Sequence, residues 1–201
     1  IWRFRREFRA RKLANVLNYW PIVRGEIIVE LDGDDWFSRD DALARIGAVY
    51  DSDPRTQATA GSHHGWPAGH EMRPITQPAR GYRMIGGFAW SVPAPRTWKR
   101  SLTTRSLTES PQIYTDPLTS RPWDTNADLA LFLPALMHAE HIASIDEILV
   151  EISLSGPAHD AKESKAKQQD EAERLWEIGY QLEWKLNEHL LRPFKSSKES
   201  A

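Results

Sequence analysis

The 201-residue chain contains no cysteine. That excludes a disulfide framework, a thiolate metal site and a cysteine nucleophile, and it fits a reducing compartment. An excess of one charge is also lacking. Lys and Arg number 26 against 28 Asp and Glu, and the net charge of −2 gives no global pull toward nucleic acid or an anionic membrane. No apolar run approaches the roughly 18–20 residues that cross a bilayer, and no secretory signal pattern is present. Internal repeats are absent as well. The chain begins at Ile1 and not at Met, inside Trp2-Arg3-Phe4-Arg5-Arg6-Glu7-Phe8-Arg9, and so reads as a segment entered partway through a longer fold. Its length predicts one domain with a sizeable core.

What the chain does have is carboxylates in one place. Leu31-Asp32-Gly33-Asp34-Asp35-Trp36 closes the apolar run Ile27-Ile28-Val29-Glu30-Leu31 and precedes a helix start at Ser38-Arg39-Asp40-Asp41. If the run is a parallel strand, its carboxyl end is where open α/β sheets bind ligands. Crowded anions repel one another unless a cation joins them, and an oxygen-rich site suits Mg²⁺ or Mn²⁺ shared with substrate phosphates. The competing reading is a strand running into an Asp-capped turn. Nine tryptophans are mostly expected in the core, although an exposed Trp can also carry a sugar ring or a base.

Periodicity supplies the rest of the outline. Residues 1–20 read as a helix with Phe4, Phe8, Leu13, Val16 and Leu17 as its apolar positions, ended by Pro21; its arginines read as a solvated basic face. Ser38 and Asp41 resemble a capping box for a helix whose buried stripe is Leu43, Ile46, Val49 and Tyr50. A second strand is expected at Thr56–Ala60, then a Gly-, Pro- and His-rich functional loop over 61–81, then an extended segment at Tyr82–Trp90. Pro93 and Pro95 are expected to introduce a helix carrying Trp98, Leu102 and Leu107, followed by an irregular stretch from Tyr114 to Trp123. A helix apolar nearly all round is predicted from about Asn126 to His141, a strand at Ile145–Ile152, and a long charged helix from Ala158 to Lys195 before a disordered end.

Taken in order, these segments resemble family 2 glycosyltransferases of the GT-A type. The resemblance rests on Ile28-Val29-Glu30-Leu31-Asp32-Gly33-Asp34-Asp35-Trp36-Phe37, on Arg96-Thr97-Trp98-Lys99-Arg100-Ser101-Leu102, on Asp128-Leu129-Ala130-Leu131-Phe132-Leu133-Pro134-Ala135-Leu136 and on Ile145-Asp146-Glu147-Ile148-Leu149. It covers about residues 12–152 and lacks the family's first strand–helix–strand, which binds the nucleotide base and ribose. It implies an α/β chain with a GT-A-like sheet flanked by helices, a partial GT-A domain over 1–157 and a charged C-terminal helix and tail over 158–201.

The resemblance also implies an activity: inverting, metal-dependent transfer of a sugar from a nucleotide-diphosphate donor to a hydroxyl of a carbohydrate, lipid-linked or protein acceptor. Through the Asp-x-Asp motif it assigns Mn²⁺ or Mg²⁺ to Asp32 and Asp34, with Asp35 adjacent. It assigns the general base to Asp128, with Asp124 as the alternative; helix N-terminal capping is the other explanation of both. Arg96 and Lys99 are candidates for phosphate or acceptor contact, and Arg80 and Arg83 for a diphosphate clamp. His63, His64 and His70 have the chemistry of extra metal ligands, but they lack the helical spacing of a zinc hydrolase, so loop polarity is the preferred reading. Glu140 corresponds only loosely to the acidic residue the family carries after its long helix. A cytoplasmic enzyme is expected, with peripheral membrane association open and no nucleic-acid partner. The rival readings are a phosphoesterase built on Asp32, Asp34 and the histidines, and a non-catalytic carbohydrate- or polyanion-binding module.

Overall fold

The computed structural model describes residues 11–66, 70–72, 94–124, 126–153, 166–175 and 177–178. The sequence expectations for residues 1–10, for Tyr82–Trp90 and for most of the charged tail lie outside that set. In chain order the elements are α1 (Lys12–Tyr19), a 3₁₀ turn (Trp20–Ile22), β1 (Ile27–Glu30), β2 (Trp36–Phe37), α2 (Ala42–Ser52), β3 (Ala58–Trp66), β4 (His70–Met72) and β5 (Arg96–Lys99). There follow α3 (Arg100–Glu109), a second 3₁₀ turn (Pro111–Tyr114), the two-residue strands β6 (Thr115–Asp116) and β7 (Arg121–Pro122), α4 (Ala127–His138) and β8 (Ile142–Ser153). Residues 166–175 and 177–178 are helical.

The chain is α/β, with helices on both faces of one mixed sheet in the order β1-β5-β3-β8-β2, and β4 added to β3. β3 and β8 run parallel, whereas β1 with β5, β5 with β3 and β2 with β8 are antiparallel. The expected parallel pairing of β1 is therefore corrected: its neighbour β5 runs the other way, in a register that sets Ile28 opposite Trp98 and Glu30 opposite Arg96.

Strand alternation distributes side chains to the two faces. Ile28 and Trp98 join the larger core, where α4 buries Leu129, Leu131, Phe132, Leu133 and Leu136 against Leu13 of α1, Leu102 of α3 and Leu175. Ile27 and Val29 point the opposite way, onto the smaller core of Ile46 and Tyr50 of α2 with Ile145 and Leu149 of β8. Glu30 and Arg96 keep the parity of Ile28 and Trp98, so both lie on the α1/α4 face. That parity builds the site.

Several expectations are revised. β3 continues through Gly61-Ser62-His63-His64-Gly65, where composition predicts a loop, because pairing with β8 on one side and β4 on the other supplies partners for its polar groups: the Ser62 hydroxyl donates to the Ile145 carbonyl at 3.0 Å. Arg96–Lys99 is a strand, and the predicted helix begins only at Arg100. The irregular stretch after Tyr114 holds a tight β6–β7 hairpin in which Ser120 adopts φ of 54°. Leu43 is 57 % exposed and not part of the α2 stripe. The capping box is absent; α2 starts at Ala42, and the Ser38 hydroxyl donates across to the Ile148 carbonyl at 2.8 Å.

Candidate functional site

Beyond β1 the chain reverses through Asp32-Gly33-Asp34-Asp35, with the Asp35 amide donating to the Asp32 carbonyl at 3.1 Å. The Asp35 carboxylate accepts the Ser153 N–H at 3.0 Å, which ties the turn to the last residue of β8. Burial pushes the Asp35 carboxyl above its ordinary value; the Ser153 N–H opposes that, and the Asp32 and Asp34 charges add to it. Asp34 is exposed.

Below the turn, on the α1/α4 face, stands an ionic network. The Lys12 ammonium, in the first turn of α1, lies 2.6 Å from Glu30 Oε1 and also contacts Asp32 Oδ1. The Arg96 guanidinium donates from Nη1 to Asp128 Oδ2 at 2.7 Å, and its Nε lies 3.6 Å from Glu30 Oε2. Glu30 is nearly enclosed, with its side chain 8 % exposed. Burial alone would raise the Asp128 carboxyl, yet Arg96 and then Lys12 hold it below its ordinary value. Burial would likewise lower the Lys12 ammonium, but Glu30 and Asp32 leave it raised. Lys12, Glu30, Asp32 and Asp34 line an open cleft of about 530 Å³ together with Trp98 and Leu131, and Arg96 and Asp128 connect to that wall through Glu30.

The structure thus brings together Asp32, Arg96 and Asp128, residues remote in sequence, and adds Lys12 and Glu30, which the sequence reading passed over. Glu30 did carry a signal, being the single charge in an apolar strand and in phase with Ile28. Lys12 carried none that separates it from its basic neighbours.

Other candidates fall elsewhere. Asp124 pairs with Arg11 at 2.6 Å and with the Lys167 ammonium. Lys99, an odd number of residues from Arg96, takes the other face, and its ammonium donates to the Pro54 carbonyl at 3.1 Å. Buried Nδ1 of His63 accepts the Ala94 N–H at 3.1 Å, and His64 Nδ1 is 2.8 Å from Glu151 Oε2. Arg80 and Arg83 lie outside the described residues, as does the side chain of His70. Trp98 is a packing residue: its ring lies 5.6 Å from that of Phe132, and its indole N–H donates to Thr103 Oγ1 at 2.7 Å. Among the described residues no group of three His, Asp or Glu side chains is placed to hold a metal ion by itself. A cation here would therefore rest on one or two carboxylates together with ligand oxygens, which is the usual manner of Mg²⁺.

No protein-family model and no curated protein matches the chain. Among solved structures it is similar to TarS of S. aureus, with a TM-score of 0.47 and 16% identity over 78% of this chain and 29% of that one. It is also similar to TarS residues 1-349 in complex with UDP-GlcNAc, with a TM-score of 0.49 and 14% identity over 77% of this chain and 44% of that one. Against the same piece in complex with UDP the TM-score is 0.49 and the identity 14%, over 90% of this chain and 51% of that one. The chain spans about half or less of the length of each of these structures.

Proposed function

We propose that the chain is the larger part of a GT-A glycosyltransferase domain that moves a sugar from a nucleoside-diphosphate donor to an acceptor hydroxyl with inversion at the anomeric carbon. The observation that carries this reading is the ionic chain that runs from Asp32 through Lys12, Glu30 and Arg96 to Asp128 at the carboxyl end of β1, with Asp32, Lys12 and Glu30 on the wall of the cleft. The order of motifs that resembles family 2 enzymes supports it independently.

The chemistry follows from charge. As the sugar–phosphate bond breaks, negative charge grows on the departing diphosphate, and Lys12 and Arg96 supply fixed positive charge beside the cleft. They are outnumbered by the carboxylates Glu30, Asp32, Asp34, Asp35 and Asp128, so a diphosphate entering alone meets a net repulsion. The donor set fits a hard divalent cation, since the turn offers only oxygen ligands and Asp34 is exposed. Asp32 and Asp34 would hold it, and it would supply Lewis-acid stabilisation of the leaving diphosphate. Asp128, held ionised by Arg96, accepts the proton of the acceptor hydroxyl as the new glycosidic bond forms. Asp35 keeps the turn in place through Ser153.

Two unit charges about 4 Å apart interact by roughly 4 kcal/mol at an effective dielectric near 20. Losing a few kcal/mol of that kind costs on the order of a hundredfold in rate. Calorimetric titration of UDP and GDP, with Mn²⁺ and again with EDTA, tests the reading. Metal-dependent binding that Asp34→Ala removes is the expected result. Nucleotide binding that is indifferent to EDTA and survives Asp34→Ala would overturn the metal assignment, and sugar binding with no nucleotide affinity would favour a non-catalytic module. In a sugar-nucleotide assay, Asp128→Asn is expected to lower kcat by about a hundredfold or more with little change in donor affinity.

A further inference from the structure

At the opposite end of the same strands, where β1 begins and β5 ends, lies a second open groove of about 640 Å³. Arg24, Lys99, Arg100 and Arg105 border it, against the carboxylates Glu26 and Glu109. This local excess of positive charge stands in a chain whose net charge is −2.

The way these cations are held matters more than their number. Arg100 Nε donates to the Gly25 carbonyl at 3.1 Å, and Arg24 Nη1 donates to the Pro21 carbonyl at 2.9 Å. A carbonyl fixes a guanidinium in place without neutralising it, and each group retains most of its five donors. Among the described residues Arg105 alone of the three arginines meets a carboxylate, Glu109, at 2.9 Å. The facing side of α3 presents Ser101, Thr104 and Thr108. The Thr104 and Thr108 hydroxyls donate to the carbonyls of Arg100 and Thr104, both at 3.1 Å, so that face adds no negative charge. Guanidinium forks anchored on carbonyls, with no carboxylate bonded to them among the described residues, are a pre-organised receptor for a tetrahedral oxyanion.

We propose that this groove is a binding site for a phosphate ester, separate from the cleft at Asp32. The size of the groove exceeds that of a phosphate alone and accommodates the body of a small ester as well. Its ligand chemistry can come from a soluble ester or from a lipid headgroup, and the test distinguishes the two.

The first probe is inorganic phosphate, titrated into the ¹⁵N-labelled full chain at fixed ionic strength while the arginine Nε–H signals are followed. Saturable shifts of the Arg24 and Arg100 signals are expected, and chloride at equal ionic strength should not reproduce them. The double substitution Arg24→Gln, Arg100→Gln should weaken binding by about tenfold or more, consistent with loss of charge-assisted hydrogen bonds. Glu109→Gln, which frees Arg105, should tighten it severalfold. Should the double variant fail to fold, Arg105→Gln on the exposed face of α3 gives the same test with a smaller loss. Co-sedimentation with phosphatidylglycerol vesicles, but not with phosphatidylcholine vesicles, assigns the ester to a lipid headgroup; phosphate binding without sedimentation assigns a soluble one. Shifts that do not saturate, that chloride reproduces, or that survive the arginine substitutions overturn the proposal. No nucleotide enters this experiment, so its outcome is independent of the donor titration.

Discussion

Asp128 and Arg96 form a pair whose strength is readable as pH dependence. Burial pushes the Asp128 carboxyl up, but Arg96, with Lys12 and the Leu129 N–H, holds it below its ordinary value of 3.8 in the folded chain. A depressed folded pKa means that the stability the pair confers is present above the unfolded value and is lost as pH falls through the folded one. Asp128→Asn should therefore flatten the acid limb of a plot of urea midpoint against pH, while leaving its shape above neutrality unchanged. Tyr50 works in the opposite sense. Burial raises its phenol to about 12, and it shares a 2.7 Å hydrogen bond with Thr97, which in turn meets Thr59. Its contribution is complete below pH 10 and fades as pH rises through about 12. Tyr50→Phe should cost about 1 kcal/mol at neutral pH and remove part of the alkaline decline, as read by denaturant melts across that range. Single-residue chemistry of this kind was partly legible. Asp32, Arg96 and Asp128 were singled out from sequence, whereas Lys12 was hidden among arginines that share its charge and spacing.

At the scale of elements, burial on both faces erases the periodicity that would mark β5. Arg96-Thr97-Trp98-Lys99 was expected in a helix because Trp98 and Leu102 are four apart and prolines precede them. In the fold Thr97 and Trp98 are both inaccessible, one facing α2 and the other α4, so no apolar–polar alternation marks the strand. The error also merged Arg96 and Lys99 on one helical face, when strand geometry sends them to opposite sides. β3 was misread for a different reason. Glycines, a serine and histidines predict a loop, and the sheet interior overrides them by supplying hydrogen-bond partners. Gly61 shows why glycine is there. A Cβ at this position would fall inside contact distance of Pro95 and of the Ala94 backbone, beside the register shift between Ala60 and Ser62. Gly61→Ala should thus destabilise by about 1–3 kcal/mol, the range for overpacking a closed site, seen as a lowered Tm. By contrast α4 was legible, since an apolar run with no polar face has few places to go but a core.

For the whole molecule, the tail contributes to the main core. Leu175 is fully inaccessible in the cluster around α4, Arg174 reaches Asp116 at 3.2 Å in the β6–β7 hairpin, and Asn126 Nδ2 donates to the Gln168 carbonyl at 2.7 Å. Leu175→Ala should cost about 2–5 kcal/mol, as other buried leucine truncations do, and a denaturation curve will show whether that loss falls on the whole domain in one transition. The charge pattern of 158–201 suggested a separate helix, and periodicity cannot say which of its apolar positions meets a distant helix. No helix among the described residues is long and apolar enough to cross a membrane.

The parallel pairing of β3 with β8 has a consequence for the order of events in synthesis. Ala58 meets its parallel neighbour only at Ile142, although its antiparallel neighbour Trp98 comes earlier, and Ser153, whose amide fixes Asp35, is the last residue of β8. During translation, β3 and the acidic turn leave the ribosome long before the strand that completes them. Non-local pairing of this kind closes late and leaves a strand edge exposed meanwhile. The metal-binding geometry proposed for the turn can therefore mature only after β8 has docked, so a nascent chain halted before Ile142 would hold the acidic residues without the fixed turn that makes them a site.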